Sequence, residues 1–255
     1  MQLENDIRNI MRQKDMLLMT HLVLGYPSFE VNREMIAAMV ENGVDLIEMQ
    51  IPFSEPMADG PVIVKANQDA LASGVTVAQC LEFAAEITSR YPIPFLFMTY
   101  YNIIFKYGEE LFFQKAKALG IKGFIVPDLP PEEGENFFRL AREYDIAPVL
   151  IYAPTTSDGR MRKLAGHAGG FIYCVARLGV TGKQTIFDQG VRDYLDRCRQ
   201  STKLPLAVGF GISRKEDVDY LRGRADIAVV GSATIRLVDE KGAAAVGPFI
   251  AGLRG

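Results

Sequence analysis

Two acids in one short stretch carry most of the chemistry that can be read from this chain. Residues 48–61 read EMQIPFSEPMADGP. Glu48 lies inside an apolar run, and Glu55 and Asp59 lie in the proline-bearing loop that follows. Side chains alternate across a strand, so Ile47, Met49 and Ile51 form a wholly apolar face. Leu46, Glu48 and Gln50 form the other. A carboxyl group on a buried face costs several kcal/mol, in order of magnitude, unless it is paired. Desolvation favours the protonated form of such a group, which suits an acid that both gives and takes protons. A structural acid bonded to backbone or to a neighbouring side chain is the alternative. Asp59 sits among Pro52, Pro56 and Pro61, which stiffen the loop and can hold it over a site. Asp-Gly is also a common turn pair, so an Asx-type turn explains it without chemistry.

A second group of residues looks suited to an anion. ARLGVTGK (176–183), VGFGIS (208–213) and VVGSAT (229–234) each follow or close an apolar run. Gly182, Gly211, Gly231 and Ser232 can bring backbone N–H groups close to a phosphate. Residues 232–237 can form a short helix whose N-terminus faces the same place. Tight turns without a ligand are the alternative. Of the two histidines, His21 stands at the end of the first apolar run and can line a pocket, whereas His167 in HAGG suits a helix end. HExxH, GxSxG and the P-loop pattern do not occur, so no motif points to metal or triad chemistry. No lysine stands inside an apolar run, as a Schiff-base aldolase would want.

The elements that must position these residues alternate regularly. Eight apolar runs, Leu17–Leu24, Leu46–Ile51, Phe95–Met98, Gly123–Val126, Pro148–Tyr152, Phe171–Val175, Leu206–Phe210 and Ile227–Val230, read as strands buried on both faces. Helical patterns fall between them. Residues 32–42 place Met35, Ile36, Met39 and Val40 on one face, and Thr76 with Gln79 makes a capping box before CLEFAAEI. In 109–119 the marked residues are Leu111, Phe112, Lys115, Ala118 and Leu119. Further helices are expected at Glu132–Tyr144, Asp158–Ala168, Asp188–Gln200, Arg214–Leu221 and Ala243–Leu253. The first dozen residues form an extra amphipathic helix with Ile7, Ile10 and Met11 on one side. Eight strand–helix units predict an α/β fold, a (β/α)8 TIM barrel with an extra N-terminal helix, as one domain over 1–255. An open doubly wound sheet is the competing architecture, weakened because no GxGxxG turn follows the first strand. In a barrel the site lies at the carboxyl ends of the strands, where Glu48 and the glycines stand.

Composition removes other classes. The chain has 255 residues, 49% hydrophobic, with a net charge of −3, which gives no basic surface for nucleic acid. Cys80, Cys174 and Cys198 are far apart with no CxxC pair, consistent with a reducing, cytoplasmic setting. The polar N-terminus has no signal core, and no segment is long enough to cross a membrane.

With these residues assembled, the chain resembles the tryptophan synthase alpha subunit family along nearly its full length. The matching segments are LGYP (24–27), IPFSEPMADGPVI (51–63), FMTYYN (97–102), VPDLP (126–130), RLGVTG (177–182), GFGI (209–212) and GSA (231–233). The resemblance implies a retro-aldol lyase that cleaves indole-3-glycerol phosphate to indole and D-glyceraldehyde 3-phosphate in L-tryptophan biosynthesis. It assigns catalysis to Glu48 and Asp59. It assigns phosphate binding to Gly182, Gly211, Gly231 and Ser232, closure over the substrate to Thr181, and the ligand's aromatic surroundings to Tyr173 and Phe210. It implies no cofactor and no metal in this chain. A beta-subunit partner carrying pyridoxal phosphate is expected, in an α2β2 complex. Four positions depart from the family pattern: Gln50 stands where glycine is usual, His21 where phenylalanine is frequent, Leu178 where serine is common, and Glu55 where aspartate meets the partner. The change at Glu55 keeps open a stand-alone lyase without a partner. Gln50 and His21 keep open a non-catalytic subunit that binds a phosphorylated ligand and regulates its partner.

Overall fold

The computed structural model describes residues 1–175, 189–209 and 211–254. Helix α1 (Gln2–Met11) precedes strand β1 (Leu17–Val23), and the chain then alternates as the apolar runs require. It continues through α2 (Phe29–Glu41), β2 (Leu46–Gln50), α3 (Pro61–Ala72), α4 (Val77–Arg90), β3 (Phe95–Met98), α5 (Tyr101–Tyr107), α6 (Glu109–Ala118) and β4 (Gly123–Ile125). The second half comprises α7 (Glu135–Glu143), β5 (Ala147–Tyr152), α8 (Asp158–Ala165), β6 (Ile172–Val175), α9 (Gln189–Ser201), β7 (Leu206–Gly209), α10 (Lys215–Leu221), β8 (Ile227–Val230), α11 (Ser232–Lys241) and α12 (Val246–Arg254). A single 3-10 turn, Ala243–Ala245, leads into α12. The eight strands are all parallel and close in sequence order, with β1 paired to both β2 and β8. This is the (β/α)8 barrel that the alternation predicts.

The parity read from β2 holds. Ile47, Met49 and Ile51 pack in the layer between strands and helices, while Leu46 belongs to the barrel interior with Leu17, Met19, Leu96, Val149 and Ile227. α1 seals the amino end of that interior. Leu3 and Ile7 are buried there, with Ile10 and Met11 packed at the margin. Small residues make the room: a Cβ at Gly123 would come within 3.1 Å of Leu3, and one at Gly170 within 2.6 Å.

Three details differ from expectation. α3 and α5 are helices that the sequence periodicity does not indicate. Pro61 does not extend the stiff loop but starts α3, in the first turn, where its missing N–H costs no hydrogen bond. In α6 the buried face is Phe112, Phe113 and Ala116, while Leu111 is 60% exposed. The capping box at Thr76 and Gln79 forms as read. All three cysteines are free and buried. Cys174 on β6 and Cys198 on α9, distant in sequence, lie close enough to influence each other's ionisation. No described helix alone is long and apolar enough to cross a membrane.

Candidate active site

A cavity of about 370 Å³ opens at the carboxyl ends of the strands. Its floor is a ring of inward-facing residues from successive strands: Met98, Ile125, Ile151, Tyr173, Gly209 and Val229. Its polar lining comprises His21, Glu48, Asp59 and Ser232. Gly209 is a packing requirement, because a Cβ there would lie 2.9 Å from the Tyr173 ring and hydroxyl.

Glu48 and His21 meet because the barrel register places them side by side. In the β1–β2 pairing, His21 is the partner of Glu48 and Val23 the partner of Gln50. The imidazole Nδ1 donates to Glu48 Oε1 at 2.6 Å, and both side chains are buried. Among the described residues, Glu48 Oε2 has no hydrogen-bond partner. Burial alone would lower the His21 pKa. The negative charge and hydrogen bond of Glu48, helped by the charge of Asp59, outweigh burial and raise it above the ordinary 6.5.

Asp59 is reached by a loop that α3 holds in place. Buried Asn67 of α3 accepts from the Phe53 N–H at 2.9 Å and donates to the Ile63 carbonyl at 2.8 Å. Phe53 stacks on Tyr100, with ring centroids 5.0 Å apart. The Tyr100 hydroxyl accepts from the Ala58 N–H at 3.0 Å and donates to Asp59 Oδ2 at 3.1 Å. Gln50 Nε2 donates to the same Oδ2 at 2.7 Å. Among the described residues the carboxylate bonds these side chains, not the local backbone of an Asx turn. Both donors fall on Oδ2, so Oδ1 is the oxygen left for a ligand. Burial raises the Asp59 pKa, opposed by the donors Gln50 and Tyr100 and by the charge of His21. Burial, with Glu48 and Asp59 nearby, also pushes Tyr173 well above its usual range.

At the opposite rim, Gly231 caps α11 and Ser232 begins it. Thr234 secures this end by donating to the Gly231 carbonyl at 2.7 Å and to the His21 carbonyl at 3.3 Å. Gly211 lines the same cavity with φ +52°, a conformation that favours glycine. The structure thus gathers Glu48, Asp59, Tyr173, Gly211, Gly231 and Ser232 around one cavity. Thr181, Gly182 and Phe210, with Leu178, lie outside the described residues. His167 stacks edge-on against Phe138, 5.6 Å between centroids, away from the cavity lining. Glu55 is exposed. Tyr100 was not singled out by sequence reasoning, although it stands in FMTYYN directly after β3.

Comparison with known proteins gives one answer. The family model for the tryptophan synthase alpha chain matches residues 7–247. The tryptophan synthase alpha chain of Desulfotalea psychrophila is 65% identical over 254 residues, covering 100% of both chains. That of Syntrophotalea carbinolica is 57% identical, covering 99% of this chain and 100% of its own. A solved chain from Aquifex aeolicus superposes with a TM-score of 0.89 at 34% identity, covering 99% of this chain and 97% of that one. A chain from the Pyrococcus furiosus tryptophan synthase α2β2 complex gives 0.88 at 33% identity, covering 94% and 98%. The chain described here belongs to the tryptophan synthase alpha chain family.

Proposed function

We propose that Glu48 and Asp59 carry the reaction of this family in this chain. The chain is a lyase that cleaves indole-3-glycerol phosphate to indole and glyceraldehyde 3-phosphate. The observation that supports the assignment is one cavity, lined by both acids, with the N-terminus of α11 at its rim.

The bond to be broken joins indole C3 to a carbinol carbon. C3 must gain a proton so that indole can leave, and the carbinol hydroxyl must lose one to become the aldehyde. Glu48 serves both transfers through Oε2, the oxygen without a hydrogen-bond partner, and returns to its starting protonation state. Protonation at C3 makes the indole N–H a cationic donor. Asp59 Oδ1 accepts from it in a charge-assisted hydrogen bond. The apolar ring of Met98, Ile125, Ile151 and Val229 suits the flat indole. Gly211 after β7, with Gly231 and Ser232 at the α11 N-terminus, holds the phosphate through backbone N–H groups and the helix dipole. Thr181, Gly182 and Phe210 complete the ligand shell in this reading.

The chain itself uses no cofactor in this reading. Its product is consumed by a beta subunit carrying pyridoxal phosphate, in an α2β2 assembly like that named for the Pyrococcus furiosus protein. Exposed apolar side chains, Met57 at 85% and Phe105 and Leu111 at 60%, offer surface for a partner to cover. Incubating the chain with indole-3-glycerol phosphate, with and without the beta subunit, tests the reading. Indole should appear in both mixtures and disappear when Glu48→Gln replaces the wild type. Turnover equal in wild type and Glu48→Gln would refute the assignment. Sedimentation of the chain with the beta subunit should give a complex; two separately sedimenting species would favour a stand-alone lyase.

A further inference from the structure

His21 and Gln50 are polar residues on the inward face, and the structure puts each on one of the two acids. His21 binds Glu48 Oε1 at 2.6 Å, and Gln50 binds Asp59 Oδ2 at 2.7 Å. We propose that His21 is a positioning residue for Glu48, fixing Oε1 so that Oε2 does the proton transfer and holding an imidazolium against the carboxylate that forms. This inference rests on the assignment of Glu48 made above.

Charge development in the reaction explains why such a group helps. As Glu48 gives its proton to C3, negative charge grows on its carboxyl group while positive charge grows on the indole. An imidazolium fixed beside the first charge and a carboxylate fixed beside the second are preorganised for that separation. Both side chains are buried, so their interactions with charge are screened less than in bulk water. Gln50 is the neutral counterpart. It occupies Asp59 Oδ2 together with Tyr100 and adds no charge, leaving Oδ1 for the indole N–H.

Among the described residues, the ionisable groups facing His21 are Glu48 on β2 and Asp59 in the loop after it, with the Gln50 amide beside them and Tyr173 of β6 lining the same cavity. From the β8 side, Gly231 and the Thr234 hydroxyl approach, and neither titrates near neutrality. Both acids favour the imidazolium, and burial opposes it. The His21 charge is therefore present at low pH and is lost as pH rises through its elevated folded-state value.

The experiment combines kinetics with histidine NMR on the full chain. Only His21 and His167 contribute histidine signals, and His21→Asn assigns them. Wild-type kcat/KM should fall as pH rises through the His21 midpoint measured by NMR, and Glu48→Gln should lower that midpoint. His21→Asn keeps an N–H for Oε1 but cannot titrate, so its profile should be flat across that window. Its kcat should drop about 10-fold with little change in KM, and His21→Phe, which lacks the donor, should lose about 100-fold. Melting curves identify any variant that fails to fold, and the wild-type NMR and pH comparison stands without the variants' rates. A wild-type pH profile and kcat in His21→Asn, or a His21 midpoint unmoved by Glu48→Gln, would overturn the inference. Wild-type turnover in Glu48→Gln would remove the assignment of Glu48 itself, and the inference with it.

Discussion

The two ends of β2 do opposite things. At its amino end, Leu46 sits among Leu17, Leu96 and Ile227 under the plug formed by Leu3 and Ile7 of α1, a dry and closely packed interior. At its carboxyl end, Glu48 and Gln50 are also buried, but they are polar, and among the described residues Glu48 Oε2 has no hydrogen-bond partner. The first end stabilises the fold. The second end keeps a carboxyl oxygen facing the cavity for a ligand. Strands are the rigid parts of this fold, and placing Glu48 on one gives a fixed geometry that a loop could not supply alone. Asp59 shows the complement: it lies on a loop, and Asn67, Phe53 and Tyr100 are needed to hold that loop.

If the division holds, mutations at the two ends should separate activity from stability. Glu48→Gln should reduce kcat for indole release by about 10³-fold while the variant keeps a cooperative, folded-state melting transition, measured by calorimetry. Leu3→Ala should do the reverse, costing about 2–5 kcal/mol in urea unfolding with kcat per folded molecule unchanged. Asp59→Asn should lower kcat about 10²-fold and raise stability at neutral pH. The sign follows from the raised Asp59 pKa: the fold disfavours the carboxylate above the folded-state value, and that penalty is relieved as pH falls through it. The stability gain of Asp59→Asn should therefore shrink in acid, which melts across a pH series would reveal. Arg139→Ala, breaking the exposed 2.6 Å pair with Glu143 on α7, should change stability by no more than about 0.5 kcal/mol and leave turnover alone.

How far the sequence reaches differs between these regions. The eight strands and the inward face of β2 were readable because strands buried on both faces are continuous apolar runs, and alternation is strict within each. Glu48 was legible as the acid that breaks such a run. α3 and α5 were not, for local reasons. Pro61 continues a proline-rich segment and reads as loop until its place in the first helical turn is seen. YNIIFKY is short and aromatic, with weak helix propensity. In α6, choosing Leu111 over Phe113 rotated the apolar stripe away from the buried face.

The links within the site were harder still. His21 and Glu48 are each visible near strand ends, but their pairing depends on the β1–β2 register. Likewise, the Gln50–Asp59–Tyr100 cluster depends on a loop folding back over the barrel. The parity argument placed Gln50 on the inward face with Glu48, and in the structure it donates to Asp59.

The most direct test of the account is the steady-state rate of indole release from indole-3-glycerol phosphate by Glu48→Gln, set against wild type at equal folded concentration. A rate about 10³-fold lower from a fully folded variant is the expected result. A rate within tenfold of wild type would contradict it, leaving Glu48 as a structural acid in the barrel interior.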